Sequence, residues 1–172
     1  MKVLLPFQAM NQYAEHVPLA YRASACGPVT AASILRYHEG VVPGIGPLYK
    51  MLGTTPIGLS AFCLMRRLKK LTGPRYDIKR IRSIEQIKQQ LDAGYPLAMK
   101  FDRYFSMRWR QKTTFAYHWV PLIGYEETPD DLLLFIHDNG QKNRPSKLRA
   151  VSLRENQCVL SFIQISPVSK IK

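Results

Sequence analysis

The chain has 172 residues, 46% of them hydrophobic and 22% charged, which fits one compact domain with a sizeable core and excludes a disordered polymer. Its 25 lysines and arginines outnumber 12 acidic residues, for a net charge of +13, so an anionic partner such as nucleic acid, anionic lipid or wall polymer is a candidate. No zinc-finger or RRM-type motif accompanies that charge, no apolar run reaches transmembrane length, and three widely spaced cysteines without a CxxC argue against a disulfide framework and a structural zinc site.

The N-terminal apolar run ends at Pro6 and is too short for a secretory signal. A single cytoplasmic domain over residues 1–172 is the expectation. In "ACGPVTAASILRYH" (25–38), Pro28 suits the first turn of a helix and Gly40 stops it. Cys26 stands at the start of that helix. Either it is packed, as free cysteines commonly are, or it is a nucleophile whose pKa is lowered by the helix N-terminus. Residues 41–55 read as a Gly/Pro/Thr-rich loop with one short helical turn.

A second helix is expected in "TPIGLSAFCLMRRLKKLTGP", capped by Thr55, begun at Pro56 and ended by Gly73-Pro74. "RYDIKRI" reads as a short strand. "SIEQIKQQLDAGYP" is a helix with a Ser83/Gln86 capping box, a buried stripe of Ile84, Ile87 and Leu91, and a stop at Gly94. "LAMKF" follows as a buried strand, then an arginine- and aromatic-rich loop over 102–114. The last third turns to strands, "YHWVPLIGYEE", "DLLLFIHD" and "VLSFIQIS", the first two joined by hairpin chemistry at Glu127–Asp130. Helices first and antiparallel strands last make the class α+β.

A cysteine nucleophile needs a base within reach, and the base an orienting group. His38 lies twelve residues along the cysteine's own helix, about 18 Å away at 1.5 Å per residue, and His16 has no evident acidic orienter. His118 begins one hairpin strand and Asp138 ends the next. An unbulged ladder would set 118 opposite 138 or 139, with side chains on one face. His137 has the opposite parity and faces away. The pattern selects His118 with Asp138, and Asn139 as the alternative orienter. Cys63 and Cys158 fall in helix and strand patterns and are expected in the core, and Trp119 is expected on the strand face opposite His118. No HExxH or tight ligand cluster occurs, so neither metal nor cofactor is expected.

The stretches "ACGPVTAASILRYH", "LGTTPIGLSAFCLMRRLKK", "SIEQIKQQLDAGYPLAMKF" and "HWVPLIGYEE…LLLFIHDNG", in this order over roughly 17–140, resemble the C39-like peptidases, a branch of the papain-like cysteine hydrolases. The resemblance implies a papain-like fold with an N-terminal nucleophile helix packed on a C-terminal antiparallel sheet. It implies Cys26 as nucleophile, His118 as base and then acid, Asp138 as the group fixing the imidazole, and a peptide or amide substrate cut through an acyl-thioester. The family usually carries a glutamine a few residues before the cysteine as an oxyanion donor. Here Arg22 stands near that place, and Gln12 is the nearest glutamine that could reach in from upstream. Acyl transfer to an amine, or a catalytically weak fold binding an anionic partner, are the alternative readings. Substrate pockets are expected from 41–55 and 102–114; oligomeric state is not legible.

Overall fold

The computed structural model describes residues 1–40 and 42–168. The first residue of the expected 41–55 loop and the last four residues of the expected 1–172 domain lie outside that range. Seven strands, β1 (Lys2–Leu4), β2 (Tyr76–Ile81), β3 (Leu97–Asp102), β4 (Tyr117–Glu127), β5 (Leu132–His137), β6 (Leu148–Ser152) and β7 (Leu160–Pro167), form one sheet. Every pairing is antiparallel, in the order β2-β7-β3-β4-β5-β6, with β1 paired to the far end of β4. Among the described residues five α-helices cover it: α1 (Cys26–Glu39), α2 (Ile45–Leu52), α3 (Ala61–Thr72), α4 (Ile84–Asp92) and α5 (Leu153–Asn156). No helix among the described residues is long and apolar enough to cross a membrane.

The alternation of side chains along the central strands splits the core in two. On one face Ala98, Trp119 and Ile163 pack with Val29 and Ala32 of α1, Leu48 and Leu52 of α2, and Leu64 and Leu68 of α3. On the other, Met99, Phe101, Val120 and Leu122 pack with Ile87 and Leu91 of α4 and Leu153 of α5. The sheet is therefore buried on both sides at its centre, which explains why β3 and β4 read as nearly continuous apolar runs.

Several boundaries differ from the sequence reading. Residues 45–52 form two helical turns, stopped by Gly53 in the left-handed conformation. The helix placed at Pro56 begins instead at Ala61, where the Ser60 hydroxyl accepts from the Cys63 N–H at 3.1 Å. Thr55 caps nothing; it closes a tight turn on Gly58, whose φ of +117° no helix can contain. Ser83 does cap α4, but Ile84 is exposed rather than part of the buried stripe. The β4–β5 hairpin turns at residues 128–131, with Glu127 opposite Leu132, and its ladder bulges between Leu122 and Gly124, so the unbulged register centred on Glu127–Asp130 that set 118 against 138 or 139 does not hold. Strands β1 and β6 and helix α5 had no clear sequence signal.

Candidate active site

A 3₁₀ turn over Leu19–Ser24 delivers the chain into α1, whose first residue is Cys26. Pro28 then occupies the first turn, where its missing N–H costs no hydrogen bond. The helix start presses directly on β4. A Cβ at Gly27 would stand 2.8 Å from Leu59 Cδ2 and 3.3 Å from Trp119 Cδ1, so any larger residue would force Leu59 or the helix start to shift. A second device holds the contact. The fully buried Asn139, just past β5, donates from Nδ2 to the carbonyls of Cys26 (3.1 Å) and Trp119 (2.7 Å) and to Thr30 Oγ1 (2.9 Å). Asn139 is thus a clamp between the cysteine helix and β4, and among the described hydrogen bonds it does not reach His118.

The Cys26 side chain is 4% exposed. Burial pushes its thiol above the ordinary value of 9.0, against the opposing pulls of the Trp119 backbone, the helix-start amides and the Lys100 cation. Desolvation therefore outweighs the helix N-terminus at this position. Lys100 itself lies buried between Asp102 Oδ2 at 2.6 Å and the rings of Tyr117 (4.9 Å) and Trp119 (5.8 Å). The Tyr117 hydroxyl donates to the Leu59 carbonyl and accepts from its N–H, at 3.0 and 2.8 Å.

His118 is directly opposite Phe101 in the β3–β4 ladder and packs on Phe115 with ring centroids 4.9 Å apart. Directly opposed residues share a face, so the imidazole emerges on the face opposite Trp119, near the start of β4. Burial lowers its pKa from 6.5 to about 4, with the Asp138 carboxylate raising it and Arg149 lowering it. Asp138 is buried and paired with Arg144 (2.9 Å) and Arg149 (2.5 Å), and it accepts from the Lys147 N–H at 3.1 Å. Thus Asp138 acts on the imidazole through its field. Among the described residues no hydrogen bond joins His118 to Asp138 or to Cys26. His137 faces the other way, onto Phe7 and Ser146.

Of the two oxyanion candidates, Arg22 has its Nε committed to the Val17 carbonyl at 3.0 Å. Gln12 is buried against this region: its N–H donates to the Asn139 carbonyl at 2.8 Å and its Nε2 to the Arg22 carbonyl at 2.9 Å, with Oε1 unpartnered. Cys63 is half-buried and Cys158 exposed, so neither is the core thiol its pattern suggested. Among the described residues no group of three His, Cys, Asp or Glu is placed to hold a metal ion.

Beside the helix start, an open cleft of about 480 Å³ runs between residues 53–63 and the base of the 103–116 loop, with Lys100, Asp102, Phe105 and Tyr117 in its wall. The α2 segment contributes only its end to this cleft. Three participants escaped the sequence reading: the clamp role of Asn139, the Arg144–Asp138–Arg149 cluster and buried Lys100. Only Lys100 had a signal, a lone cation inside the apolar run "LAMKF".

The model of the Peptidase C39 like family matches residues 4–169. Among solved structures, the peptidase domain of Streptococcus ComA, a bifunctional ABC transporter involved in a quorum-sensing pathway, superposes with a TM-score of 0.61 at 19% identity, over 94% of this chain and 99% of that one. A double-glycine-motif protease from an AMS/PCAT transporter, solved in complex with its leader peptide, gives 0.59 at 13% identity, over 95% of each chain. At these identities the likeness shows the fold, which is papain-like. Among curated proteins no sequence matches.

Proposed function

Because the chain belongs to the Peptidase C39 like family, we propose that it is a cysteine peptidase that cuts a peptide bond through Cys26, His118 and Asp138. The observation that carries this reading is the placement of Cys26. Its thiol sits at a helix start pinned by Asn139 against Trp119, and the next residue back along β4, His118, carries an imidazole in the field of Asp138 on the opposite face of the strand. For catalysis the start of β4 must turn His118 from its resting face toward Cys26; the imidazole, neutral above its lowered pKa, then takes the thiol proton as Sγ bonds to the scissile carbonyl carbon. The oxyanion so formed is met by the Cys26 N–H and by the second Nε2 proton of buried Gln12, whose first is held by the Arg22 carbonyl. Collapse breaks the C–N bond, and the imidazolium returns its proton to the leaving amine. Water, deprotonated by the same imidazole, then opens the thioester and releases the acid.

The leader peptide bound by the double-glycine-motif protease supports an extended peptide as the substrate, lying in the cleft walled by Lys100, Phe105 and Tyr117. The test is cleavage of a mixed peptide library, read by mass spectrometry. Wild type is expected to cut a defined subset, Cys26→Ala none, and His118→Ala about 10²- to 10⁴-fold more slowly. Gln12→Ala is expected to lose about 10²- to 10³-fold, with Arg22→Ala near wild type. Cleavage that survives Cys26→Ala refutes the assignment.

A further inference from the structure

Beyond the Phe105 it gives to the cleft wall, the loop between β3 and β4 presents a surface that the chemistry at Cys26 does not use. Tyr104, Phe105, Met107 and Trp109 are all exposed, Met107 by 79% and Trp109 by 66%. They are held out by a pinned backbone. Arg103 donates from its N–H to the Ala116 carbonyl (2.8 Å) and from Nη1 to the Gln111 carbonyl (3.1 Å), while the Phe105 N–H donates to Asp102 Oδ1 (2.9 Å). Met107 stands at φ +57°, where a non-glycine side chain is strained, and it points into solvent. Around this apolar tip lie Arg108, Arg110 and Lys112, exposed and engaged by none of the described side-chain hydrogen bonds or ion pairs. No acidic residue occurs from 103 to 125.

We propose that residues 103–112 dock the protein on an anionic phospholipid bilayer, with the cleft mouth facing the membrane surface. Aromatic and aliphatic tips ringed by cations match the boundary between acyl chains and anionic headgroups. Two details favour lipid over a nucleic acid. The Trp109 Nε1–H already donates to the Tyr104 carbonyl at 2.8 Å, so the indole enters an apolar layer with no unpaired donor. Base stacking would use the rings but leave the Met107 thioether, and exposed Ile57 across the cleft from Phe105, in water.

The two tryptophans make the test direct, because Trp119 is 0% exposed and any emission change on binding reports Trp109. Wild type is titrated with phosphatidylcholine vesicles with and without phosphatidylglycerol, and with a single-stranded oligonucleotide, followed by emission and co-sedimentation. Binding to the anionic vesicles alone, with a blue shift, is the expected result. Arg108→Gln/Arg110→Gln is expected to lower partitioning about 30-fold, each arginine near an anionic surface being worth about fivefold. Met107→Ser/Phe105→Ser, at exposed positions, is expected to abolish the blue shift. No vesicle binding, binding unchanged in both double variants, or an emission change with oligonucleotide alone each overturns the proposal.

Discussion

Lowering the pH should unfold this protein through His118. The imidazole titrates at about 4 in the folded chain against 6.5 unfolded, so between those values the unfolded state binds a proton that the folded state excludes. Stability is then greatest above pH 6.5 and falls as the pH drops toward 4. At 1.36 kcal/mol per unit, the shift of about 2.5 units costs about 3 kcal/mol by pH 4. Half-buried His38 and His137 are shifted down by burial as well and add to the slope in the same direction. The assay is urea unfolding of wild type and His118→Gln at half-unit steps from pH 7.5 to about 4, since carboxylate titration is common to both and cancels in the difference. The variant is expected to lose about 3 kcal/mol less than wild type across this window. Parallel curves would mean that His118 is solvated in the folded state, and the burial argument would fall.

Asn139→Ala removes three hydrogen bonds from a fully buried site and leaves the Cys26 and Trp119 carbonyls short of a donor, so a loss of about 3 kcal/mol is expected by urea unfolding. Gly27→Ala drives a methyl to 2.8 Å from Leu59 and should cost about 1–3 kcal/mol; a melt equal to wild type would show that the helix start can retreat from β4. Iodoacetamide at neutral pH should label exposed Cys158 first, then Cys63, and Cys26 last, with Cys26 labelling rising only above pH 9. Fast Cys26 labelling below neutral pH would reveal a resting thiolate instead. With a cleaved peptide in hand, acylation should slow in D₂O, because the thiol proton moves as the C–S bond forms; a rate unchanged in D₂O would indicate an ion pair formed beforehand.

Elements bounded by local chemistry were legible in the sequence: α1 between Pro28 and Gly40, α4 between Ser83 and Gly94, and strands β3, β4 and β7 by their apolar runs. What was not legible depends on partners far along the chain. Thr55-Pro56 has the local form of a helix start, yet Tyr117, 58 residues on, takes both the N–H and the carbonyl of Leu59 and holds the segment extended. The hairpin turns at 128–131, one residue later than Glu127–Asp130, and the ladder bulges at Leu122–Gly124, so the parity argument for His118 and Asp138 rested on a register that is not there. Asp138 looked like an orienting carboxylate with no competitor, because nothing local signals that Arg144 and Arg149 fold back onto it. Asn139 was weighed only as a ligand for the imidazole, whereas its amide faces the other side of the sheet.

That division between the two faces has a chemical consequence. On the cysteine face the nearby cation Lys100 is held in a pair with Asp102, and on the histidine face Asp138 is held in a pair with two arginines. Each ion that could have stabilised a thiolate or an imidazolium is thus already matched. The remaining influence is burial, which raises the thiol and lowers the imidazole. Both shifts favour the neutral pair, so the resting site stores no reactive anion. In the proposed mechanism a proton leaves sulfur only when a substrate carbonyl carbon accepts the sulfur electron pair and donors such as the Gln12 amide receive the charge. On that proposal reactivity is conferred by the bound substrate, and the empty site is expected to keep the thiol quiet toward small oxidants and alkylators until the cleft is filled.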